Sequence, residues 1–123
     1  MSNKILFVED EEDLTLIVSD TLRGQGYDII TAADGIQGLE KFKSEGADIV
    51  VADVMMPKIN GYKISRLLKY DAKYKNIPIL MVTARSQEED KLIGEETGAD
   101  EYITKPFDLD EVVKKVEQYL GKN

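Results

Sequence analysis

The chain has 123 residues, 42% of them hydrophobic and 33% charged, with a net charge of −8 and a sequence pI of about 4.6. That is the composition of a single folded domain with its own core, and it excludes a disordered or fibrous chain. The absence of cysteine excludes disulfides and thiolate metal sites. No apolar run reaches the length of a membrane span, and Met1-Ser-Asn-Lys begins no signal peptide, so the expectation is a cytoplasmic protein with no membrane insertion. With an acidic balance and no run of Lys or Arg, direct nucleic-acid contact is not expected either.

In chain order, Ile5–Val8 (ILFV) is a short apolar run of the kind that forms a strand buried on both faces. Five consecutive acids follow, Glu9-Asp10-Glu11-Glu12-Asp13. A helix is marked by Leu14, Ile17, Val18 and Leu22 and punctuated by Gly24 and Gly26. Tyr27–Thr31 mixes polar residues into its pattern and reads as an edge strand. Ile36, Leu39 and Phe42 mark a second helix, which stops at Gly46. Ile49–Ala52 (IVVA) is a second doubly buried strand, followed at once by Asp53 and a Met-Met-Pro turn. A third helix carries Ile64, Leu67 and Leu68, and a third buried strand runs over Ile79–Val82 (ILMV). Residues 86–97 read as a helix opened by Ser86 with Glu89 and closed by Gly98. Its only large apolar residues are Leu92 and Ile93, so it is expected to be loosely held. Glu101–Thr104 (EYIT) is a second edge strand. Asp108 with Glu111 opens the last helix, whose stripe is Leu109, Val112, Val113, Val116 and Leu120.

Five alternations of strand and helix predict an α/β fold, a five-stranded parallel sheet with five helices on its two faces. The three apolar strands belong in the middle. Right-handed crossovers then give the order 2-1-3-4-5, a flavodoxin-like doubly wound sheet. In such sheets ligands bind outside the carboxyl ends of the strands, where the chain reverses direction between strands one and three. Glu9 and Asp10 stand on one side of that crevice and Asp53 on the other.

Two carboxylates about 5 Å apart repel by roughly 3 kcal/mol at an effective dielectric near 20. Protons or a cation must relieve this. Oxygen ligands with no His or Cys favour a hard divalent ion, Mg²⁺ before Mn²⁺, and the backbone carbonyl of Met55 is placed to add a ligand. Thr83 ends the fourth strand and Lys105 the fifth, on the same rim. Pro106 follows directly, at a bond where a cis peptide would aim the lysine inward. Carboxylate, metal, ammonium and hydroxyl together suit phosphoryl transfer: the carboxylate is the nucleophile and the others hold the phosphoryl oxygens. Taken singly, each residue has a plainer use, as a turn residue, a helix-entry acid, an N-cap or a surface lysine.

The stretches KILFVEDE, DVMMPKINGY, LMVTAR and YITKPF, in this order and spacing, resemble a response-regulator receiver domain of two-component signalling, over essentially all of residues 1–123. Receivers are a standard example of the 2-1-3-4-5 order, so topology and resemblance form one expectation. The resemblance implies that Asp53 is the phosphoacceptor for a sensor histidine kinase or phosphotransfer protein. Asp10 would hold Mg²⁺ directly, Glu9 through water, and the Met55 carbonyl would complete the protein ligands. Thr83 and Lys105 would bind phosphoryl oxygens, and Tyr102 would be the aromatic switch that turns inward as Thr83 moves. Glu9 stands where Asp is also common in the family, and Asn60 where Asp is frequent before the glycine. The implied output is a downstream protein target or effector, engaged through the fourth helix, fifth strand and fifth helix. The implied unphosphorylated state is a monomer, and the protein is a switch, not a turnover enzyme.

A Mg²⁺-dependent aspartyl-phosphate phosphatase would place a general acid two residues after the nucleophile, where this chain has Met55. A flavin or nucleotide binder would need a Gly-, Ser- or Thr-rich phosphate cradle after the first strand, where this chain has acids. An unphosphorylated receiver-like scaffold remains a further alternative, although every chemical group is in place. The Met1 start and the Gly121-Lys122-Asn123 tail favour a stand-alone receiver over an excised one.

Overall fold

The computed structural model describes residues 3–54, 61–83 and 99–121. Its elements are β1 (Lys4–Val8), α1 (Glu12–Gly24), β2 (Asp28–Ala32), α2 (Gly35–Glu45), β3 (Ile49–Asp53), α3 (Gly61–Lys69), β4 (Ile79–Thr83), β5 (Glu101–Thr104) and α4 (Leu109–Leu120). The five strands form one parallel sheet in the order β2-β1-β3-β4-β5. The central strands β3 and β4 are buried along their whole length, as their unbroken apolar runs require. Four helices are present among the described residues, where the sequence predicts five. The helix expected over residues 86–97, with Ser86, Glu89 and Gly98, lies outside them.

Strand alternation divides the core in two. Ile5 and Phe7 of β1, Val51 of β3 and Leu80 of β4 pack beneath α1 and α4, against Val18, Leu22, Val112 and Val116. Leu6, Val8, Val50 and Met81 face the other way, against Phe42 of α2 and Ile64 and Leu68 of α3. Three residues expected on buried stripes are instead exposed: Ile17 by 51%, Ile36 by 41% and Leu67 by 44%. The cause is the 100° step between helix neighbours. Val18 and Leu68 take the inward positions, which turns Ile17 and Leu67 toward solvent.

Helix ends also depart in part from expectation. Asp108 precedes α4 but caps it with no side-chain hydrogen bond. Asp34, not singled out by the sequence, does cap α2: its carboxylate accepts the Gln37 N–H at 2.8 Å, while Gln37 Oε1 accepts the Ala33 N–H at 2.9 Å. At the amino edge of the sheet, Lys69 Nζ donates to the carbonyls of Lys75 (3.3 Å) and Ile77 (3.0 Å) and pairs with Asp100 at 2.8 Å. The Asp100 carboxylate also accepts the Ile79 N–H at 2.8 Å, so one ion pair ties α3 to the starts of β4 and β5.

Gly38 lets α2 lie directly on β1. A Cβ there would meet the two γ-carbons of buried Val8 at 3.0 and 3.3 Å. Gly38→Val is therefore expected to lower unfolding free energy by about 2 kcal/mol in urea titrations, through overpacking. Gly24→Ala, which meets nothing within 4 Å, should be neutral or stabilising by up to about 1 kcal/mol.

Candidate functional site

The register of the sheet assembles the carboxyl rim. Val8 pairs with Ala52, which brings the next residues, Glu9 and Asp53, to the same level on adjacent strands. Asp53 in turn pairs with Val82, one residue before Thr83. Thr83 pairs with Thr104, one residue before Lys105. Ladder bonds continue just past the strands and fix these positions: Glu9 N–H donates to Ala32 O at 3.0 Å, Val54 N–H to Val82 O at 2.9 Å, and Lys105 N–H to Thr83 O at 2.7 Å.

Carboxylate oxygens of Glu9, Asp10 and Asp53 lie within 4.8 Å of one another. Glu9 is 3% exposed and Asp53 5%, while Asp10 faces solvent. Lys105 Nζ reaches in from the far edge of the sheet and donates to Glu9 Oε1 at 3.0 Å and to Asp53 Oδ2 at 2.8 Å. The Glu11 N–H donates to the other Glu9 oxygen at 3.1 Å. Burial, and secondarily the charge of Asp53, raise the Glu9 carboxyl from 4.5 to about 7, against the lowering effect of its hydrogen bonds with Lys105 and Glu11. For Lys105, burial works against the charged form. Its bonds to Asp53 and Glu9 outweigh that, and its pKa is raised. The residues thus form an oxygen-only set of three carboxylates that already draws in a cation, which fits a hard divalent ion such as Mg²⁺.

Thr83 is fully buried at the end of β4, on the same rim. Tyr102, on edge strand β5, is half-buried and packs with the core cluster beneath α2 and α3. Met55 and its carbonyl lie outside the described residues, as does Asn60. The Lys105–Pro106 peptide is cis. Two hollows flank the acids. One, of about 320 Å³, is lined by Glu9, Asp10, Thr15, Thr31, Gln37 and Lys41; the other, of about 390 Å³, by Leu14, Lys105, Pro106 and Phe107. Lys41, which donates to Thr31 O at 2.6 Å, is a cation of this rim that the sequence did not flag. Its partner sits ten residues earlier on β2, so no local pattern announces it.

A carboxyl whose pKa is raised on folding stabilises the folded state below its unfolded pKa and loses that contribution as pH rises through the folded value. Without divalent cations, stability should therefore fall between pH 4.5 and about 7 on account of Glu9, by at most about 3 kcal/mol. Glu9→Gln should flatten that slope and unfold at higher denaturant than the parent at pH 8 in chelator. Denaturant titrations across this pH range provide the check.

Residues 5–117 match the model of the response regulator receiver domain. The chain is 42% identical, over its full length, to half of the alkaline phosphatase synthesis transcriptional regulatory protein PhoP of Bacillus subtilis. It is 38% identical over 97% of its length to 49% of the DNA-binding dual master transcriptional regulator RpaA of Synechocystis. A solved structure of the chemotaxis protein CheY4 of Vibrio cholerae aligns with a TM-score of 0.91 at 33% identity, covering 97% of this chain and 99% of that one. The chain spans about half the length of the two regulators. The exclusion of nucleic acid from the partners is corrected here, because RpaA is by name DNA-binding and PhoP is a transcriptional regulator. A charge balance over 123 residues carries no information about the half of such proteins that it does not span. With a family match over 113 residues, a shared sheet order and the acids gathered on its rim, the chain belongs to the response regulator receiver domain family.

Proposed function

We propose that the chain is a phosphorylation switch that accepts a phosphoryl group on Asp53, in the cytoplasm, from a phosphohistidine of a sensor histidine kinase or phosphotransfer protein. The observation that carries this is the bridging of Asp53 and Glu9 by the Lys105 ammonium beside Asp10. A buried carboxylate with a fixed cation on one side and an open rim on the other is suited to attack an electrophile of high negative charge. An Asp53 oxygen bonds to phosphorus as the P–N bond breaks, and the electron pair leaves with the donor imidazole. The product is an acyl phosphate, which water later cleaves to restore Asp53 and release phosphate.

Glu9, Asp10 and Asp53 would hold Mg²⁺, or Mn²⁺ in its place, with the Met55 carbonyl as a further ligand. The ion neutralises charge on the phosphoryl oxygens when bound. Lys105 transfers one of its hydrogen bonds to a phosphoryl oxygen, and the Thr83 hydroxyl donates to another. The new group adds about two negative charges to this rim, so Thr83 and the neighbouring edge strand must adjust. Tyr102 on β5 follows that adjustment. The output surface is then the 86–97 segment with β5 and α4, facing a downstream protein or effector. Residues 1–123 act as one receiver domain and not as a turnover enzyme.

Incubation with a small acyl-phosphate donor should add one phosphoryl mass in Mg²⁺ and essentially none in chelator, and Asp53→Asn should abolish the gain. Amide shifts should then change in β5 and α4 as well as beside Asp53. Consumption of donor in large excess over protein would instead favour the phosphatase, and shifts confined to the Asp53 loop would remove the proposed output surface.

A further inference from the structure

Among the described residues, five large apolar side chains are substantially exposed, and four of them lie on just two helices on opposite faces of the sheet. Leu16 (57%) and Ile17 (51%) stand on α1, Leu67 (44%) and Tyr70 (74%) on α3 and the residue that follows it. Each pair is flanked by charge, of one sign on α1 and of the other on α3. On α1 the exposed stripe is Asp13, Leu16, Ile17 and Asp20; on α3 it is Lys63, Arg66, Leu67 and Tyr70, with Lys73 just beyond. Positions i, i+3, i+4 and i+7 share one face of a helix, so these are two exposed ridges of opposite sign, each with an apolar pair. Glu12 adds to the acidic ridge. Arg23, 3.8 Å from Asp20, and Asp71, beyond Tyr70, each subtract one charge from their own ridge. Arg66 lies 6.0 Å from the centre of the Tyr70 ring, and the pair presents the residue types that anchor protein interfaces.

We propose that a second copy of this chain is the partner of both ridges, its α1 seated on α3 with acids against bases and Leu16 and Ile17 against Leu67 and Tyr70. Because the ridges lie on opposite faces of the sheet, the contact is heterologous and runs head to tail. One helix pair buries area at the low end for specific interfaces, so the association is weak and the chain is a monomer when dilute. The net charge of −8 repels copies at long range, but at about 0.1 M salt the screening length is only about 10 Å and the local match decides.

Sedimentation velocity on the intact chain tests this. At about 0.1 M salt and millimolar concentration the sedimentation coefficient should rise with concentration, and at about 1 M salt, where screening reaches about 3 Å, the apparent association should weaken at least about tenfold. Asp13→Lys/Asp20→Lys and Arg66→Glu/Lys73→Glu should each remain monomeric alone, because each sets like charges against one another. An equimolar mixture of the two should associate again, since every ridge then meets its opposite. These are exposed positions, and matching circular dichroism melts establish that the variants fold. Independently, dilution of the parent chain should shift amide signals in residues 12–24 and 61–73. A parent chain that stays monomeric, variants that associate alone, or a mixture that does not associate would each overturn the proposal. So would a monomeric parent whose basic ridge binds polyglutamate or a short DNA duplex and loses it on Arg66→Glu/Lys73→Glu, which would assign that ridge to a polyanion.

Discussion

Three carboxylates drawn together at one edge of a sheet set the terms for the rest of this molecule. With carboxylate oxygens of Glu9, Asp10 and Asp53 all within 4.8 Å of one another, each charged pair would repel by about 3 kcal/mol or more at an effective dielectric near 20. That cost is imposed by topology. In a parallel sheet every strand delivers its carboxyl end to the same side, and β1 and β3 are neighbours in exact register. The molecule answers with Lys105, which comes from the end of β5 and spans back to both buried acids. The tension is relieved but not abolished, since burial and the charge of Asp53 still raise the Glu9 carboxyl to about 7. A site in this condition gains from any added positive charge.

Rigidity behind the rim is what makes this sustainable. Ile5, Val8, Val50, Val51, Ala52, Leu80 and Val82 are all 0% exposed, so the strands cannot slide to part the acids without opening a core packed on both faces. Ladder hydrogen bonds carried one residue past the strand ends extend that rigidity to the reactive side chains themselves. The edge strand β5 is different: only Ile103 is buried there, and its other positions are half-buried. Stiff support for the acids and looser support for Tyr102 therefore sit side by side in one sheet.

The strands were legible in the sequence because uninterrupted apolar runs such as ILFV, IVVA and ILMV admit few alternatives, and their order followed from which runs were wholly apolar. The rim was legible for a related reason: once the order is known, the residue after each strand is known as well. Helix faces were less so. Adjacent apolar residues such as Ile17 with Val18, or Leu67 with Leu68, compete for one inward position, and the choice depends on a sheet that the local pattern does not contain. The Asp34 cap and the Lys41 contact to Thr31 depend likewise on how α2 settles over β2. The sharing of Lys105 between Glu9 and Asp53 joins residues 96 and 52 positions apart, and only the folded chain brings them to one point.

The ion pair of Lys69 with Asp100 stands at the opposite end of the sheet from the acids. By stapling α3 to the roots of β4 and β5, it fixes those strands at their beginnings, away from the rim that carries Thr83 and Lys105. The two ends of β4 are thus held by unlike means, an ion-paired helix at the amino side and ladder bonds to its neighbouring strands at the carboxyl side.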